Sequence, residues 1–364
     1  MAQFYYDIYL AIVTILTVIF AINYTIKNPI IREIQLQRQR WLGWTISIFM
    51  ILFIGLRPVD RVFVDMNGYD IMYNKYWGND FSFETETTNI IFDNLFYFMA
   101  CYMIPERLFF LLIAFIYFGC TYIAIKKIFK NDAIIVYLVF LGAFSTFSYG
   151  TNGIKAGAAA AIFYLAIAYR EKKWLCILFA LVSYGIHHSM QLVLASFLCI
   201  NVVKNNKLYL FGWFVCLILA ALHVTYFQEL FGGYSTEHGA GYLAVSEEAF
   251  EEERHVSGFR PDFILYSAIP IFLGQFLFGQ MKIRSPKYEM IFNTYTLSNS
   301  IWLLCMYASF INRIAYLSWF MYPLVISYPF LKNRISSNQN LYFLFVIFAH
   351  LGFTLFMHIV YYNL

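Results

Sequence analysis

The chain has 364 residues, of which 61% are hydrophobic, 21% aromatic and only 13% charged, with a formal net charge of +4. Soluble domains carry about 25% charged residues, so a soluble globular fold is excluded, and no nucleic-acid partner is expected. The composition predicts an all-α polytopic membrane protein, a single integral membrane domain over residues 1–364.

The first apolar run, YYDIYLAIVTILTVIFAINYT, follows no basic segment, carries Asp7 and lacks a small-residue cleavage site, so it predicts a retained helix. From there hydropathy places about twelve spans, near 4–26, 41–57, 107–127, 133–149, 153–170, 174–187, 188–203, 208–227, 262–281, 289–310, 312–331 and 341–362. Six alternate connections (27–40, 126–132, 170–173, 204–207, 282–289 and 332–340) hold 17 of the 25 Lys and Arg but only four of the 21 acids, Glu33, Asp132, Glu171 and Glu289. By the positive-inside rule that side is cytoplasmic. Both termini then face outward, as do two longer segments, 57–106 and 228–261.

Within the first of these, NIIFDNLFYFMACYMI (89–104) has the apolar content of a span. Reading it as one would put Lys126, Lys127 and Lys130 outside and invert every later loop. Together with its interruption by Asp93 and Asn94, this predicts a re-entrant or interfacial helix on the outer face. The six cysteines show no CxxC spacing and imply neither a disulfide framework nor a metal site, and no cofactor is expected.

Several polar groups fall at the outer ends of spans. Arg57 follows FIGL; Lys155 opens a helix rich in small residues in TNGIKAGAAAAIF; Arg313 begins another helix in SFINRIAYLSWF. The uncharged stretch from Trp174 to Val203 is interrupted by SYGIHHSMQLV (183–193), a polar break between two arms of about 14 and 16 residues. At 1.5 Å per residue such arms reach roughly 21–24 Å, short of the ~30 Å hydrocarbon core, which sets His187 and His188 below the outer surface. Charges at such depth are costly and mark function by default. Three cations at one depth make an anion pocket, Asn152 and Gly153 offer a helix N-terminus that favours negative charge, and diphosphate is the anion that best fits a site reached from membrane and water. The plainer alternatives are interface anchors for Arg57, Lys155 and Arg313 and backbone-bonded imidazoles for the histidines.

In order along the chain, GLRP (55–58), DMNGY (65–69), NGIKAGAAAAIFYLAIAY (152–169), HHSM (187–190), GFRPDF (258–263) and NRIAYLSWF (312–320) resemble the EpsG-like group of Wzy-type bacterial O-antigen polymerases. The resemblance implies a GT-C-like glycosyltransferase of the inner membrane with a periplasmic active site. Such an enzyme moves the growing glycan from undecaprenyl diphosphate to the non-reducing end of a second lipid-linked repeat unit, in lipopolysaccharide biosynthesis. Its partners are undecaprenyl-diphosphate-linked glycans and membrane lipids, with a chain-length regulator and a flippase as possible protein partners. The family pattern falls on Arg57, Asp65, Tyr69, Lys155, His187, Ser189, Arg260 and Arg313, with His188 and Asn152 beside them. It departs at Lys155, where the family usually has Arg; an ammonium lacks the bidentate fork of a guanidinium. His187 or Asp65 would take the acceptor proton, and the cations would hold diphosphate. A flippase would need charge through the whole membrane thickness, an O-acyltransferase a cytoplasmic donor site, and an O-antigen ligase a lipid A acceptor.

Overall fold

The computed structural model describes residues 2–60, 63–227, 258–279, 285–308 and 311–362, and among these the regular elements are all helices, with no strand. The chain divides into two compact units, Met1–His187 with Phe330–Leu364, and His188–Pro329. Most of the second outer segment, 228–257, lies outside the described residues.

Five stretches are long and apolar enough to cross a membrane: Gln3–Thr25, Glu106–Leu141, Pro261–Gly279, Asn312–Lys332 and Gln339–Val360. The other apolar helices are shorter, so a total of about twelve spans is not reached by length alone. Helices α1 (Ala2–Ala21) and α2 (Pro29–Gln39) open the first unit, and α2, capped by the Asn28 side chain, occupies what was expected to be a loop. Then follow α3 (Leu42–Gly55), α4 (Val64–Tyr76) and α5 (Ile90–Cys101), the last within the segment 89–104 expected to be re-entrant or interfacial. A long rod of α6 (Glu106–Ala114), a π-helical turn (Phe115–Cys120) and α7 (Thr121–Phe129) ends where Lys130 adopts φ +56°. It returns through α8 (Ala133–Leu141), α9 (Thr146–Thr151), α10 (Ile154–Ala168) and α11 (Lys173–Ile186).

The span expected at 133–149 is broken after Leu141, and side chains remote in sequence explain how an interior break is tolerated. The carbonyls freed at the end of α8 each meet a polar group: Tyr9 Oη donates to Leu141 O at 2.7 Å, Thr146 Oγ1 to Phe140 O at 2.6 Å, Thr354 Oγ1 to Gly142 O at 2.7 Å, and His350 Nε2 lies 3.1 Å from Val139 O. Unpaired backbone groups in a dry interior cost several kcal/mol, and side chains from neighbouring helices remove that cost here. Helix α10 is the centre of this unit; Ala158–Ala161 are buried, and their small side chains let α7, α11 and the π-helical turn close around it. A Cβ on Gly157 would lie 2.5 Å from Tyr149 O, so only glycine permits the tight step from α9 into α10.

The second unit holds α12 (Met190–Val202), α13 (Asn206–Ala221), α14 (Pro261–Gly279), α15 (Pro286–Leu304), α16 (Ile311–Trp319) and most of α17 (Tyr322–Lys332). Helix α15 has the length of a span but presents a buried polar seam. Its Asn299 accepts from Trp213 Nε1 at 2.7 Å and donates to Ser318 Oγ at 3.0 Å, while Asn293 donates to Asn206 at 2.7 Å. Such bonds fix the partners and register of helices where apolar packing alone discriminates weakly. The last helix, α18 (Gln339–Tyr362), rejoins the first unit, where His358 Nε2 lies 2.6 Å from Asp7 Oδ1.

Candidate functional site

The segment from Glu84 to Cys101 is organised by the polar residues that interrupt its apolar helix. Asn94 accepts from Glu84 N at 2.7 Å and donates to the carbonyls of Glu84 and Ile90, both at 2.8 Å, zipping the preceding loop onto α5. Asp93 stands in the first turn of α5, where a helix dipole favours an anion. One carboxylate oxygen takes the Thr87 hydroxyl; the other is 3.0 Å from Lys155 Nζ, with both side chains of the pair 14% exposed. Lys155 is the second residue of α10, an end that disfavours cations, so an anionic partner is what its position demands. Its ammonium also lies 5.1 Å from the centroid of Phe92 and 6.0 Å from that of Tyr69.

Tyr69 links this pair to Arg57. The tyrosine ring packs at 6.0 Å from Phe92 and Phe96 and 6.4 Å from Phe110, and the Arg57 guanidinium lies 5.3 Å from the centroids of Phe110 and Phe63. Arg57 is only 2% exposed, so it does not snorkel to an interface. It donates to Ile54 O at 2.8 Å and to Thr151 O at 2.7 Å, the carbonyl ends of α3 and α9, and its Nε is without a partner. No carboxylate pairs with it among the described residues. A guanidinium matches two helix C-termini at once because carbonyl ends carry partial negative charge; it thereby fixes the break that precedes α10. Across that break Asn152 Oδ1 is buried without a partner, and the Gly153 N-cap offers α10 no side-chain hydrogen bond.

His187 caps α11, donating its backbone N–H to Ser183 O at 3.1 Å, and its Nδ1 lies 3.3 Å from Asn89 Oδ1. Helix α5 approaches α11 closely at Gly185, where a Cβ would meet Ile91 Cδ1 at 2.6 Å and move that side chain. Asp65 shares a face of α4 with Tyr69, four residues on. The face bearing Asn67, Asp70 and Ile71, with Val59 and Asp60, lines an open cavity of about 410 Å³.

The first unit therefore gathers Arg57, Tyr69, Lys155, Asn152 and His187 around the start of α5 and the α9–α10 break. His188 and Ser189 begin the second unit and are buried, before α12. In that unit Arg260 grips Asp262 through Nε at 2.9 Å and Nη2 at 2.5 Å and stacks 3.9 Å from Phe263, whereas Arg313 is exposed near the start of α16. Sequence reading passed over Asn89 and Thr87 and took Asp93 only as an interruption; the cluster TTNIIFDN was the available signal.

Residues 40–363 match the EpsG family. No curated protein and no solved structure matches the chain.

Proposed function

The chain belongs to the EpsG family, a family of Wzy-like, polymerase- and glycosyltransferase-type membrane proteins, and on that premise we propose that it is an O-antigen polymerase. It transfers the growing glycan from one undecaprenyl diphosphate to the non-reducing end of a repeat unit carried on another, at the periplasmic face of the bacterial inner membrane, with both termini periplasmic. Breaking a glycosyl–phosphate bond puts negative charge on the departing diphosphate, which a cation beside a helix N-terminus stabilises. The observation that carries the reading is the start of α10: no side chain caps it, Lys155 stands in its first turn, and Arg57 anchors the break before it. An ammonium has three donors, so Lys155 can hold Asp93 and a phosphate oxygen together. His187 accepts the proton of the attacking hydroxyl, with Asp65 as the rival base. Tyr69 and the polar cavity of α4 suit sugar rings and hydroxyls. His188, Ser189, Arg260 and Arg313 are proposed as further substrate contacts of the second unit.

Cells lacking the protein should make lipopolysaccharide with one repeat unit on its lipid A core, seen as a single band in place of a ladder. Loss of all O-antigen would replace this reading with a flippase or a ligase. Single cysteines at Asn79, Asn205 and Ser336 test the orientation: the first should react with an impermeant thiol reagent added from the periplasm, the other two only after the inner membrane is opened. Periplasmic reaction at Asn205 would invert the topology and remove the site from the outer face.

A further inference from the structure

Asn89 lies 98 residues before His187 in the chain, is 1% exposed, and turns Oδ1 toward the imidazole at 3.3 Å. Its Nδ2 donates to Thr88 Oγ1 at 3.4 Å, and its backbone carbonyl accepts from Asp93 N at 2.9 Å as α5 begins. A carbonyl oxygen only accepts hydrogen bonds. The imidazole nitrogen facing it therefore carries hydrogen, and in the neutral ring Nε2 keeps the lone pair. We infer that Asn89 is a positioning residue that fixes His187 in the tautomer whose Nε2 accepts the proton.

The inference rests on the proposed role of His187 and adds a group that acts through it. In the reaction the acceptor hydroxyl loses its proton to Nε2 as its oxygen bonds to the anomeric carbon. The bond from that carbon to the diphosphate oxygen breaks, the electron pair leaves on diphosphate, and the imidazolium then returns its proton to water. Asn89 Oδ1 stabilises the Nδ1–H throughout, as the third member of a nucleophile–base relay does. The charged groups on the elements packed against α11 are Asp93 of α5 and Lys155 of α10, which pair with each other at 3.0 Å; His188 follows in the chain.

The test compares pH–rate profiles of the purified full chain in lipid nanodiscs, supplied with the lipid-linked repeat unit that accumulates in cells lacking the protein. Asn89→Ala should lower kcat about tenfold, less than the roughly 10²–10⁴-fold that the general base itself contributes, and leave KM unchanged. Asn89→Asp, of equal size, should retain most of the rate and move the acidic limb upward by about one pH unit, because a carboxylate beside Nδ1–H favours the imidazolium. A merely structural Asn89 would lower thermal stability and rate in both variants without moving the limb. An unmoved limb in Asn89→Asp, with the limb absent in His187→Ala, overturns the inference and leaves His187 as base. A limb that survives in His187→Ala overturns both.

Discussion

His187→Ala should reduce polymerisation by about 10²–10⁴-fold, the range that a positioned general base contributes. The imidazole is suited to the task because its ordinary titration range lies within physiological pH, and its ring is held by Asn89 rather than free at the end of α11. The loss should fall on kcat, since the side chain is needed only as the acceptor oxygen begins to bond. His188→Ala should cost far less in rate. Asp65→Asn distinguishes the rival: were Asp65 the base, that isosteric change would be the more damaging one, and His187→Ala would keep the wild-type pH profile. Protein level and thermal unfolding must accompany each rate, because His187 also ends a helix through its backbone bond to Ser183 and a disturbed cap lowers stability without touching chemistry.

Part of this arrangement is legible in the sequence. Charge asymmetry predicts α5 apart from the spans, since only an outer-face helix keeps Lys126, Lys127 and Lys130 with the other basic loops; at 12 residues it is nearly as long as α12, so charge and not length is what sets it apart. The arms flanking His187 are short, as the sequence predicts: 14 residues in α11 and, three fewer than the 16 expected, 13 in α12. What hydropathy cannot carry is compensation from a distance. Residues 133–149 read as one span because nothing within them reveals that Tyr9, His350 and Thr354 answer the carbonyls of a break at 142. Likewise Lys155 read as one cation of an anion pocket or as an interface anchor, and Asp93 as an interruption of a helix; their pairing spans 62 residues and follows from the fold. Arg57 read as a surface anchor or a phosphate ligand, and neither reading anticipated the helix ends of α3 and α9 that it joins.

The pairing of Lys155 with Asp93 leads to the second large effect. Lys155→Met should strand the Asp93 carboxylate in a half-buried place and lower both stability and activity; breaking a fully buried pair costs about 3–5 kcal/mol, and this pair, partly screened by water, should cost less. Asp93→Asn should be milder, since the amide still reaches Thr87. The informative variant carries both changes. Replacing a buried pair by neutral groups of similar size is often without cost to stability, so Lys155→Met/Asp93→Asn should regain the wild-type melting temperature to within a few degrees. If Lys155 serves only to neutralise Asp93, polymer formation should return with stability. If it holds the departing diphosphate, the double variant should stay about 10²–10³-fold below wild type, the loss typical of removing one donor from a developing oxyanion, while Lys155→Arg with Asp93 intact should remain active because a guanidinium serves carboxylate and phosphate alike. We expect the stable but inactive double variant, measured by glycan chain length in cells and by single-turnover transfer in nanodiscs. A double variant that builds a full ladder would remove Lys155 from the substrate and leave it as the counter-ion of α5.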